Sequence, residues 1–168
     1  MSIHKQIIFA TQQQVVNLGF PVMSPLSGRI KPLEEHPEVI FSTGVLGCGL
    51  ALEISSHKII APFDGIIEKI KMGGTEVYFK ARNGLRLLVA LNIDPSYFPL
   101  PGLAILKHEN QNVKASEAIV HFDLRKVPTP IIASVTILNY QKLGAIYYSH
   151  NQITAGEDVL FKVTAKKR

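Results

Sequence analysis

Thr75-Glu76-Val77-Tyr78-Phe79-Lys80, then Asn83-Gly84, then Leu85-Arg86-Leu87-Leu88-Val89-Ala90-Leu91, is the stretch that decides the fold. The first run partly alternates between apolar and polar residues and is rich in strand formers. The second run is almost continuously apolar. Asn83-Gly84 between them supplies the positive φ angles of a tight turn, so the stretch predicts a β-hairpin. Turn signals recur on both sides of it: Ser24-Pro25, Ser27-Gly28, His36-Pro37, Gly44, Gly47, Gly49, Pro62, Asp64-Gly65 and Gly73-Gly74. Between them, short β-rich runs cover 50–54, 58–61 and 66–71, with later ones at 118–122, 131–138 and 159–163. Regular short strands with Gly and Pro turns predict an all-β fold, a compact sandwich or closed barrel with only short helical turns. Only Leu103–His108 suggests a helix. No internal repeat and no low-complexity tract is evident.

The chain has 168 residues, 46% of them apolar and 18% charged, with a net charge of +5. That length suits one domain with its own core, and the apolar content excludes intrinsic disorder. Cys48 is the only cysteine, which excludes a disulfide scaffold and a cysteine zinc finger. No apolar run approaches the length of a membrane span or a signal-peptide core, so a cytoplasmic protein is expected, with no stable membrane insertion. Residues 1–22 read as an N-terminal arm or short helix, and 23–168 as the β domain. Ile8, Thr11, Val15 and Leu18 would share one helical face. With only His4 and Lys5 as cationic residues, weak membrane association of this arm is the most it offers.

Familiar catalytic signatures are missing. There is no Walker loop and no Gly-x-Ser-x-Gly elbow. The six histidines, His4, His36, His57, His108, His121 and His150, are scattered, with no pair spaced to share a metal. Aromatic and basic residues do not interleave as a nucleic-acid platform would, so no nucleic acid is expected as partner. Ile70-Lys71-Met72 lacks the flanking Ala-Met of a biotinyl hairpin, and no cofactor is expected.

The order of segments says more. Ser24-Pro25-Leu26-Ser27-Gly28, Pro37-Glu38-Val39-Ile40-Phe41, Gly47-Cys48-Gly49-Leu50-Ala51-Leu52, Ala61-Pro62-Phe63-Asp64-Gly65, Asn83-Gly84, Asn92-Ile93-Asp94 and His121-Phe122-Asp123 follow one another in a specific sequence. From about Ser24 to Val163 this resembles the glucose-type enzyme IIA of the phosphoenolpyruvate-dependent sugar phosphotransferase system. The resemblance implies a compact β-sandwich and a cytoplasmic phosphocarrier. In that family one histidine accepts a phosphoryl group from the histidine phosphocarrier protein and passes it to enzyme IIB, and a second histidine supports the transfer. Imidazole suits this role because its phosphoramidate forms and breaks readily near neutral pH.

Carried over by position, both imidazoles are gone. The family's accepting histidine lies in a His-x-Gly-Ile-Asp stretch, and the match here is Ala90-Leu91-Asn92-Ile93-Asp94. The supporting histidine lies fifteen residues earlier, at Thr75. Ala90 has no atom that accepts a phosphoryl group, and Thr75 would form a stable ester. The zinc site that some members build from these imidazoles is lost with them, so no metal is expected. Beyond Asp94, Pro95 and Pro99 reshape the loop and remove backbone donors. The resemblance therefore implies a regulatory or binding homologue with no catalytic residue. Its partner-binding face would comprise Glu38, Val39, Ile40, Phe41, Lys71, Thr75, Leu88, Ala90 and Asp94, and its partners would be carrier proteins or regulated targets. Phe41 is either core or docking patch, and Asp94 either a loop cap or a charged rim residue. Two alternatives stay open: a working phosphocarrier that uses another residue, and a ligand-binding or hydrolase-like domain that shares only the fold.

The charge is local. Three positive charges sit at Lys166-Lys167-Arg168. Lys69, Lys71, Lys80, Arg82 and Arg86 face one acid, Glu76, beside the vacant site.

Overall fold

The computed structural model describes residues 3–167. Among them the strands in chain order are β1 (Ile7–Phe9), β2 (Phe20–Met23), β3 (Gly28–Pro32), β4 (Cys48–Ile54), β5 (Lys58–Ile60), β6 (Gly65–Lys71), β7 (Glu76–Ala81) and β8 (Arg86–Leu91). The second half adds β9 (Ala104–Ile105), β10 (Asn112–Val113), β11 (Ala118–His121), β12 (Ile132–Ile137), β13 (Leu143–Tyr148), β14 (Gln152–Ile153) and β15 (Val159–Ala165). The helices α1 (Gln12–Val15) and α2 (Val39–Ser42) are single turns. The strands form an eight-stranded sheet ordered β10-β6-β7-β8-β12-β4-β3-β14, a four-stranded sheet β1-β13-β15-β2 and a three-stranded sheet β5-β11-β9. Pairing is antiparallel throughout except between β1 and β13.

The all-β expectation holds, and its main strands lie where the apolar runs are. Leu103–His108 differs: Ala104–Ile105 is a strand paired with β11. The main core joins the three sheets through Val22, Leu50, Ile59, Ile67, Phe79, Leu87, Ile119, Val135 and Phe161, all 2% exposed or less. Full burial of each such large side chain contributes about 1.5–3 kcal/mol.

The deciding hairpin is present, but its turn is longer than Asn83-Gly84 alone. Gly84 N–H donates to the Ala81 carbonyl and Ala81 N–H to the Leu85 carbonyl. Only Gly84 has positive φ, at 93°, while Asn83 accepts from Leu85 N–H through Oδ1. This is a three-residue loop, a type I turn closed by a left-handed glycine, and it sets Glu76 opposite Ala90.

The N-terminal stretch is not one helix. Ile8 lies in a strand, Thr11 caps α1 with Gln14 returning the bond, and Val15 is buried. Ile7 packs against the main core, and the boundary expected at residue 22 falls inside β2. No helix among the described residues is long and apolar enough to cross a membrane. Arg168 of the expected basic tail, and Met1 and Ser2 of the expected arm, lie outside the described residues.

Candidate functional site

β8 is buried on both faces, and this explains why Leu87–Leu91 does not alternate. Leu87, Val89 and Leu91 enter the main core. Leu88 and Ala90 point to the other face, where a separate small core forms with Leu33 and Phe41. Leu46, Tyr78 and Leu138 pack around it. Leu33, Phe41 and Leu46 belong to the connection between β3 and β4, hereafter the cover (residues 33–46). A 3-10 turn at Leu33–Glu35 and the single turn α2 build it. Phe41 is 6% exposed and anchors the cover, so it is core.

Register places the vacant positions side by side. Ala90 pairs with Glu76 on one flank and Ser134 on the other. Thr75 immediately precedes Glu76, and its carbonyl accepts from Leu91 N–H at 2.9 Å. Thr75 and Ala90 are therefore neighbours across the ladder, as the sequence register implied. Neither presents a side chain at the surface. Thr75 is 1% exposed, Ala90 4% and Leu88 1%. The Thr75 hydroxyl donates to the Met72 carbonyl at 2.7 Å, which occupies its one proton. Of the residues expected to form a docking face, these three and Phe41 are buried. Glu38, Val39, Ile40, Lys71 and Asp94 are exposed.

Asp94 is exposed, and its Oδ1 accepts from Ser96 N–H at 2.9 Å to cap the turn Pro95–Tyr97, the loop-cap role of the two expected. Lys71 places its ammonium 5.6 Å from the Tyr78 ring centroid, a cation–π distance. Arg86 is not a free base, because Glu68 binds its Nε at 2.8 Å. Glu68 lies just outside the stretch that made the region read as uniformly basic. Cys48 is fully buried, with its thiol pushed up to about 12 by burial, so it serves as a small core residue.

Three features of this face escaped the sequence. Ser134 and Thr136 of β12 are fully buried, and neither hydroxyl has a partner. Ser134 lies opposite Ala90 and Thr136 opposite Leu88. The third is His36, 4% exposed and packed against Phe41 with ring centroids 4.8 Å apart and the rings tilted by 60°. Its Nδ1 accepts from Glu38 N–H at 3.0 Å, which leaves the neutral ring's proton on Nε2, without a hydrogen-bond partner. A signal for His36 existed in the turn dipeptide His36-Pro37, but nothing in it announced burial. The other histidines lie elsewhere: His57 accepts from Leu124 N–H and holds the start of β5, and His121 is exposed on β11. Among the described residues no three His, Cys, Asp or Glu side chains gather to hold a metal ion.

Burial lowers the His36 pKa below its ordinary 6.5, against the pull of the Glu38 and Ile132 backbone. The unfolded chain then binds more protons at this residue than the folded chain does. Stability is full above 6.5 and falls as pH drops through that value toward the lowered folded pKa. Glu76 has the opposite sign. Burial first, and then the Glu38 carboxylate, raise its pKa above 4.5, while Lys71 opposes. Its contribution is largest in acid and is lost as pH rises through the window above 4.5. We expect His36→Phe, which keeps the ring on Phe41, to flatten the acid-side decline in chemical denaturation. An unchanged slope below pH 6.5 would refute this assignment.

The fold matches that of a solved structure. Glucose permease IIA from Mycoplasma capricolum superposes with a TM-score of 0.70 at 20% identity, over 87% of this chain and 96% of that one. Residues 20–143 match the sequence profile of the phosphoenolpyruvate-dependent sugar phosphotransferase system, EIIA 1 family. The glucose-specific EIIA component of Haemophilus influenzae is 30% identical over 146 residues, 83% of this chain and 86% of that protein. The glucose-specific EIIBCA component of Corynebacterium glutamicum is 31% identical over 128 residues, 74% of this chain. The match spans only 19% of that longer relative's length. The chain belongs to the EIIA family of the sugar phosphotransferase system.

Proposed function

We propose that this chain is a cytoplasmic EIIA-family protein that carries no phosphate and acts by binding protein partners, as a regulatory homologue. The observation that carries this reading is Ala90. At the position of the family's accepting imidazole stands a methyl group, 4% exposed and packed in one cluster with Phe41 and Leu33. Thr75 offers no substitute, because it is buried and its proton is held by Met72. The exposed ring of Glu38, Val39, Ile40, Lys71 and Asp94 remains as a contact surface. Exposed apolar groups clustered on one face suit a protein partner.

Incubation with phosphoenolpyruvate, enzyme I and the histidine carrier is expected to leave the mass of the chain unchanged. An acid-labile phosphoryl group on it would sink the proposal. In that event His36 is the first residue to substitute, since it is the described histidine that packs on the Phe41 ring of this face. Its Nδ1 is already engaged and its ring is covered, which supports the phosphate-free reading.

A further inference from the structure

The surface around Ala90 has two charged flanks of opposite sign. On one flank Lys69 and Lys71 of β6, Lys80 of β7 and Arg82 just beyond it are exposed. Lys69, Lys71 and Lys80 share the sheet face that carries Ala90, because Lys71 lies opposite Glu76, Lys69 opposite Tyr78 and Lys80 opposite Arg86. Among the described residues none of these four bases has an acid within ion-pair distance. On the other flank the cover carries Glu35 and Glu38, exposed and likewise without an ion pair. Both fields reach Glu76, where Glu38 and Lys71 act in opposite directions, so the two flanks meet there. The cover also raises Val39, Ile40 and Val45, which are 71%, 51% and 79% exposed.

A partner of one charge sign would set one of these flanks against a like charge, which is costly across an interface. The pattern that satisfies both flanks at once is the same face turned through a two-fold axis. Each basic flank then meets the other copy's acidic flank, and the Val39 and Ile40 side chains meet near the axis. Self-complementarity of this kind is the condition for an isologous contact. An apolar centre with a charged rim is also the usual anatomy of a protein interface.

We propose that the chain self-associates through this face as a two-fold dimer. The proposal rests on the reading of the face as a docking surface and names a second copy as an occupant. Dimerisation hides Val39 and Ile40 from any other partner, so protein concentration and salt set how much free face is on offer.

Analytical ultracentrifugation over a concentration series tests it. The wild-type chain is expected to show a reversible monomer–dimer equilibrium that weakens as salt is raised. Lys69→Glu/Lys71→Glu leaves the former basic flank, which keeps Lys80 and Arg82, with no net charge, and Glu35→Lys/Glu38→Lys makes the acidic flank basic. Each variant alone is expected to self-associate at least about tenfold more weakly. Mixed in equal amounts, the two are expected to form a heterodimer, since the introduced acids then face the introduced bases and the unchanged acidic and basic flanks face each other. Thermal unfolding of each variant confirms that it is folded, and recovery in the mixture cannot come from misfolded chains. A wild-type chain that stays monomeric overturns the proposal. So does a dimer indifferent to both double substitutions, or a mixture of folded variants that stays apart. Phosphate uptake, measured on the same samples, separates the two readings. An unlabelled monomer overturns the dimer alone, whereas a labelled chain overturns the phosphate-free function whatever its association state.

Discussion

Phe41→Ala is expected to lower stability by about 3 kcal/mol, the lower end of the range for deleting a buried aromatic ring. Phe41 is 6% exposed and is the largest side chain that the cover inserts against β8. It also packs against the tilted ring of His36. Its removal leaves Leu33 as the only fully buried apolar anchor of the cover. The remaining hold is weak, because α2 is a single turn and its N-terminus has no side-chain cap. Chemical denaturation measures the loss. A change under about 1 kcal/mol would mean that the ring is not what fastens the cover.

Ala90→His, which restores the imidazole that the resemblance implies for this position, is the second large effect, and it is expected to destabilise. The imidazole must enter a space already filled by Phe41, Leu33 and Leu88. Overpacking of this kind costs about 1–3 kcal/mol. The decisive measurement is the double-mutant cycle with Phe41→Ala. The two changes compete for the same volume, so the double variant is expected to be more stable than the sum of single losses by about 0.5–3 kcal/mol. Strict additivity would show that the imidazole finds room elsewhere. The cycle thus reports whether the small side chain at position 90 and closure of the cover depend on each other. On this view the vacancy at position 90 is not an open slot, since its neighbours have occupied it.

The sheet was legible from local chemistry. Leu50–Ile54, Ile66–Lys71 and the hairpin around Gly84 are strands because apolar runs stop at turn residues, and that signal is local. β13 was not legible: Leu143–Tyr148 begins beside Gly144, lies mostly half-buried and shows no clean alternation. β3 hid its strand behind Lys31 and Pro32. At the site, the register of Thr75 against Ala90 was readable from Asn83-Gly84 and Ile93-Asp94, which fix the ladder. The burial of Ala90 was not readable, because it comes from Phe41 and Leu33, distant in sequence. Val39 and Ile40 look like strand residues, yet they sit on a single helical turn and face outward. Ser134 and Thr136 alternate as a polar face would, and only the cover turns that face inward.

The orphaned groups beneath the cover have a consequence for motion. Ser134, Thr136 and His36 each hold a polar atom away from water with nothing to bond. An unmet buried polar group costs about 1–3 kcal/mol, and water repays that cost as soon as it reaches the group. Lifting the cover therefore exposes the Phe41 layer but hydrates three groups in the same movement. Its opening free energy is lowered by the material it conceals. Native-state hydrogen exchange should thus find residues 33–46 opening as a unit well before the sheet does, the least protected cooperative segment of an otherwise rigid sandwich.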